Sequence, residues 1–158
     1  MRLSLLFAAV AVLGCDLYEK PNHPVPKDFE ARTLGGKTFY AADFKGKPWV
    51  VTVWVPGCHM CARELPVLEA LRQEYEDDGL GFAALSLEPD EQLVIPALQA
   101  MRVEMKVLLA QDEVLGPFGV NQVPSTVFID KRGIIVAAAS GEKKRPFLER
   151  RIKELLAR

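Results

Sequence analysis

The sequence predicts an α/β domain: a central mixed β-sheet flanked by helices, with an extra β-hairpin on its N-terminal side. Three observations carry that prediction. Residues 49–55 and 81–87 are near-continuous β-branched, aromatic and aliphatic runs, the pattern of strands buried on both faces. Strand and helix patterns alternate from residue 49 to about residue 109, which argues for a parallel central element with helices on its faces. Residues 125–130 and 134–139, joined by Lys131-Arg132-Gly133, form a hairpin signal that adds antiparallel strands.

The elements follow in order. Residues 29–34 alternate weakly, Gly35-Gly36 supplies a turn, and residues 37–40 return as a second short strand. After the first buried strand, Leu65, Leu68, Leu71 and Tyr75 recur at spacings of three and four, which predicts a helix that ends at Asp77-Asp78-Gly79. Pro89-Asp90 opens a second helix running to about Met101, with Pro96 working against its early part. Residues 106–109 form a short strand. The last stretch carries Phe147, Leu148, Ile152, Leu155 and Leu156 on one face, an amphipathic helix with Pro146 near its first turn.

The chain has 158 residues, enough for one domain of common size. Apolar residues make up 49% and charged residues 26%, the balance of a globular protein. A formal net charge of −1 removes the electrostatic case for nucleic acid, which asks for a strongly basic face. Lys143, Lys144, Arg145, Arg150, Arg151 and Lys153 cluster near the end and read as a solvated helix face.

Arg2 precedes an apolar run over residues 3–13, broken only by Ser4. Eleven residues rising about 1.5 Å each do not cross a hydrocarbon core of about 30 Å, so the run reads as a secretory signal. Val12-Leu13-Gly14-Cys15 resembles the lipobox of bacterial lipoproteins, with Leu13 where a small residue is usual. That resemblance implies cleavage after Gly14 and a lipid on Cys15. Asp16 resembles a signal for retention in the inner membrane. The expected organisation is a leader over residues 1–14, an anchor and Pro-rich tether over residues 15–28, and one domain over residues 29–158. Pro21, Pro24 and Pro26 make the tether extended and semi-stiff, and His23 within it is expected to be solvated.

Cys58-His59-Met60-Cys61 stands where the first buried strand meets the first long helix. Residues three apart share one helical face one turn from each other, within reach of a disulfide. At a helix N-terminus, unpaired N–H groups and the positive end of the dipole favour a thiolate at Cys58. In such motifs the thiol pKa falls from about 8.5 to roughly 3.5–7.5, which makes the first sulfur a nucleophile, while Cys61 stays protonated and resolves the mixed disulfide. A protonated His59 would lower the thiol further. Two other readings of the pair stand beside this one. A structural disulfide closes almost no loop and adds little stability. A zinc or copper half-site, with His59 as a third donor, lacks the second ligand pair that zinc normally needs.

The segment Trp54-Val55-Pro56-Gly57-Cys58-His59-Met60-Cys61, followed by Arg63-Glu64-Leu65-Pro66, resembles the active site of thioredoxin-fold proteins. It is most similar to the TlpA/ResA-like, AhpC/TSA-related group of membrane-tethered disulfide reductases. Residues 119–130, centred on Val123-Pro124, resemble that group's second signature. The resemblance implies a thioredoxin-like fold and a thiol–disulfide oxidoreductase without a cofactor or metal beyond its own disulfide. It makes Pro124 a cis-proline facing the disulfide and Val123 the backbone that pairs with substrate. Trp54 and His59 fall on the same substrate side, and Glu64 is the acid that tunes the cysteines. It also implies protein disulfides as substrates, a membrane thiol as electron donor, a monomer, and a place in the bacterial cell envelope facing the periplasm or the exterior. By family analogy alone, the resemblance also implies a task in cytochrome c maturation. Gly57 stands where a tryptophan is frequent, Met60 where a proline is, and Thr52 where thioredoxin has a buried acid. Two alternatives have different chemistry: a thiol peroxidase, which would carry Thr where Val55 stands, and a copper- or zinc-binding metallochaperone.

Overall fold

The computed structural model describes residues 18–19, 21–110 and 114–158. The leader, Cys15 and Asp16 lie outside the described residues. Two short strands, β1 (Tyr18–Glu19) and β2 (His23–Pro24), precede the hairpin β3 (Glu30–Thr33) and β4 (Thr38–Tyr40). Then come β5 (Trp49–Trp54), α1 (His59–Tyr75), β6 (Gly81–Ser86), α2 (Glu91–Met101) and β7 (Lys106–Leu109). The chain closes with β8 (Ser125–Ile129), β9 (Ile134–Ser140) and α3 (Arg145–Leu156).

These strands make one mixed sheet in the order β1-β9-β8-β5-β6-β7-β3-β4, with β2 also on β9. β5, β6 and β7 are parallel neighbours, and the remaining pairings are antiparallel. The parallel centre needs crossovers, and α1 and α2 supply them. Every residue of β5 and β6 is buried, which is why neither run alternates.

Successive side chains of β5 enter two different cores. Val50 and Trp54 join Leu65, Leu68 and Leu71 of α1, Val94 and Leu98 of α2, and Leu148, Ile152 and Leu155 of α3. The apolar stripes of all three helices therefore meet in one core. Trp49, Val51 and Val53 face the other way, into an aromatic cluster with Phe29, Phe39, Phe44 and Phe118. Ring centroids there lie 4.9 Å apart for Phe39–Phe44 and 5.1 Å for Phe29–Phe118, inside the favourable aromatic range. Trp49 pairs with Gly81 across β5 and β6. A Cβ on Gly81 would meet the Trp49 ring at 2.5 Å, so only glycine admits the indole there.

Some sequence expectations shift. Pro96 sits inside α2 without ending it; Asp90 caps the helix by accepting from the Gln92 N–H at 2.9 Å. The described residues before Phe29 are not a free tether: His23 pairs with Ile135 and Pro24 with Ile134 in the sheet, and residues 26–29 close a turn. His23 is half-buried rather than solvated, and Val25 is buried in the aromatic core. Lys143, grouped above with a solvated helix face, precedes α3 and is buried, its ammonium donating to the Ser140 carbonyl at 2.9 Å. Among the described residues, no helix is long and apolar enough to cross a membrane.

Candidate active site

β5 delivers the chain to α1 through Val55-Pro56-Gly57. Gly57 has φ +80°, a left-handed conformation that disfavours the tryptophan frequent at this place in related sequences. Cys58 is the N-cap of α1, and its sulfur accepts from the Cys61 N–H at 3.2 Å. That contact is one of the unpaired helix-start donors turned onto the sulfur. Cys58 and Cys61 are joined as a disulfide with Cα atoms 5.2 Å apart. Cys58 is half-exposed, whereas Cys61 is 1% exposed. One sulfur is open to attack by a partner and the other is shielded.

His59 and Met60 lie between them, both exposed. A cavity of about 240 Å³ opens beside the disulfide, lined by Trp54, Gly57, Cys58, His59, Ala97 and Met101 among others. Trp54 is itself 1% exposed, so it forms a wall of that cavity and offers no projecting side chain. The Val123–Pro124 bond is cis. Pro124 is buried at the head of β8 and its carbonyl accepts from the Gly141 N–H at 2.8 Å. Val123 is half-buried and packs against both cores.

Glu64 stands one turn beyond Cys61 and is 1% exposed. Its Oε1 accepts from the Thr126 hydroxyl at 2.6 Å and its Oε2 from the backbone N–H of Lys143. Burial pushes this carboxyl above the usual carboxylate range, against the pull of Thr126, of the Lys143 N–H and of the Lys143 charge. Thr126 in turn lies 3.4 Å from Thr52 on β5. On the rim, Arg63 donates to Glu142 at 2.6 Å, which also takes Lys144. These two cations hold the Glu142 carboxyl down to about 2. Thr126, the Lys143 amide and Glu142 were not legible as site residues, because they reach Glu64 and Arg63 from 62 to 79 positions away. Cys15 lies outside the described residues, and among those described no three His, Cys, Asp or Glu side chains gather as a metal site.

The AhpC/TSA family profile matches residues 21–138. This chain belongs to the AhpC/TSA family. It is 25% identical over 163 residues to the thiol-disulfide oxidoreductase ResA of Bacillus thuringiensis strain Al Hakam, covering 98% of this chain and 94% of that one. Its fold matches MTB dsbF with a TM-score of 0.74 and 27% identity, covering 84% of this chain and 98% of that chain. The thioredoxin domain of a thiol-disulfide oxidoreductase from Bacteroides vulgatus matches with a TM-score of 0.73 at 23% identity, covering 84% and 95%. The fold is thioredoxin-like, and the chain is a thiol–disulfide oxidoreductase of this family.

Proposed function

We propose that this protein is an extracytoplasmic disulfide reductase, anchored through a lipid on Cys15 and supplied with electrons by a membrane thiol donor. The observation that carries the reading is the asymmetry of the couple: Cys58 half-exposed on the helix N-cap, Cys61 buried one turn inside. The reduced enzyme's Cys58 thiolate attacks a substrate disulfide, forming a mixed disulfide and releasing one substrate thiolate. Cys61 then loses its proton and attacks the Cys58 sulfur. This forms the Cys58–Cys61 disulfide, releases the second substrate thiolate and passes two electrons to the substrate. Glu64, the buried carboxyl one turn from Cys61, takes that proton. Pro124 has no N–H of its own, and the Val123 backbone pairs with the substrate strand by β-addition. His59 and the Trp54-walled cavity meet the residues flanking the substrate cysteine.

The client that fits the family is a Cys-x-x-Cys-His site of an apocytochrome c, which places the enzyme in cytochrome c maturation at the inner membrane. Insulin reduction by dithiothreitol reads the core activity: Cys58→Ala should abolish acceleration, and full activity in that variant would sink the reading. The reduction potential reads the direction, with a value near about −270 mV marking a reductase and one near about −120 mV an oxidant. Radiolabelled palmitate incorporation that disappears in Cys15→Ala tests the anchor.

A further inference from the structure

Glu64 uses both carboxyl oxygens, but its two partners differ in kind. The Lys143 partner is a backbone N–H, which only donates, so Oε2 remains an acceptor in either protonation state. The Thr126 partner is a hydroxyl 2.6 Å from Oε1, and a hydroxyl gives or takes. Beyond it lies a second hydroxyl, Thr52, 3.4 Å from Thr126. All three side chains are buried, Thr52 and Glu64 at 1% exposure and Thr126 at 0%, so an orphaned proton or lone pair here has no water to turn to.

We propose that Thr126 is the positioning residue of Glu64, and that Thr52 and Thr126 form a reversible hydroxyl relay which keeps Oε1 and the Thr126 hydroxyl hydrogen-bonded whether or not this buried carboxyl carries a proton. With Glu64 ionised, Thr126 donates to Oε1. When Oε1 takes a proton, it donates to Thr126, and the Thr126 hydrogen turns to Thr52. One proton enters or leaves at Oε1; every heavy atom stays in place. The charged groups around the carboxyl are few. Lys143 favours the ionised form and Glu142 opposes it, while Arg63 and Lys144 are engaged with Glu142 at the surface. Thr126 and Thr52, from β8 and β5, bring no charge. The relay thus acts through hydrogen-bond direction alone. It rests on the reading of Glu64 as the proton partner of Cys61 for its use, but not for its geometry.

The two hydroxyls should move Glu64 in opposite directions. Thr126→Val removes a charge-assisted bond from the ionised form and a weaker neutral one from the acid, so the Glu64 midpoint should rise by about one pH unit. Thr126→Ser should restore it. Thr52→Val strands the Thr126 hydrogen only when Glu64 is protonated, so the midpoint should fall. The test is a carbon-13 NMR titration of the Glu64 side-chain carboxyl in the full reduced protein, beside the pH profile of Cys58 alkylation by iodoacetamide. Opposite shifts in the two valine variants support the relay. Shifts of one sign, or none in Thr126→Val or in Thr52→Val should the former fail to fold, overturn it. If the NMR midpoints move as stated and the alkylation profile does not, the relay stands and the coupling of Glu64 to the cysteines falls.

Discussion

Glu64 and Glu69 lie five residues apart on α1, both buried, at 1% and 4% exposure, yet their carboxyls are displaced in opposite directions. Burial acts on both to favour the neutral acid. At Glu64 it wins, because the opposing partners are a hydroxyl, an amide and one lysine charge. At Glu69 it loses. Arg72 donates twice to Oε1, at 2.9 and 2.7 Å, and the N–H groups of Glu104 and Met105 donate to Oε2 at 3.0 and 2.9 Å. Together they bring that carboxyl below its usual range. The difference is a guanidinium in contact. Glu69 clasps the turn before β7 to α1 as a carboxylate favoured in its ionised form, whereas Glu64, one turn beyond Cys61, is held toward its neutral form.

Removing the guanidinium is the strongest way to break the contrast. Arg72→Met should cost roughly 2–3 kcal/mol in urea unfolding, since it leaves a buried carboxylate without its charged partner. It should also send the Glu69 midpoint upward, alongside Glu64. A Glu69 carboxyl that stays low in this variant would show that the amides alone hold it.

The contrast sharpens in the pH dependence of stability, a smaller effect. Glu64 has its folded pKa raised above the ordinary glutamate value of 4.5. Its contribution is therefore full below about pH 4.5 and is lost as the pH climbs through the folded value. Glu69 is lowered from 4.5, so its contribution is present above that pH and is lost as the pH falls through the folded value. In urea unfolding from pH 3 to 8, Glu64→Gln should gain on the wild type as pH rises, and Glu69→Gln should lose. Parallel trends in the two variants would remove the distinction. The smallest effect is expected on the rim. Arg63→Ala should let the Glu142 midpoint climb from about 2, with a small stability change that shrinks in 1 M salt, because the Arg63 side chain of the pair stands in solvent.

The sheet, the helices and the cysteine couple were legible because each is written in local pattern: unalternating runs, three-and-four spacing, and two cysteines a turn apart. Glu64 came through its likeness to related sequences. Glu69 was missed, although it left a trace. It falls four residues after Leu65, a charge inside the apolar stripe of α1, where a carboxylate must find partners. Nothing local marks Thr126, or the amide of Lys143, as the ligands of Glu64. A threonine in a buried strand reads as an ordinary β-branched residue, and the register that sets it opposite Thr52 appears only when β8 pairs with β5. Lys143 was misplaced for the same reason, since a basic cluster reads as solvent-facing until a loop folds one member inward.

The pairing of β1 with β9 fixes where the chain enters. Tyr18 lies opposite Ala139, next to Ser140, which faces Ser125 immediately after Pro124. Tyr18 therefore stands at the disulfide-bearing end of the sheet, while His23 and Pro24 lie toward the other. The lipid proposed for Cys15 would be three peptide steps from Tyr18, at most about 11 Å of chain. Held so closely, the domain would present Cys58 to partners lying at the bilayer surface and screen it from those in bulk solution. Quenching by lipid-phase nitroxides of a fluorophore placed on His59→Cys would read that height, and an unquenched probe would mean the site points away.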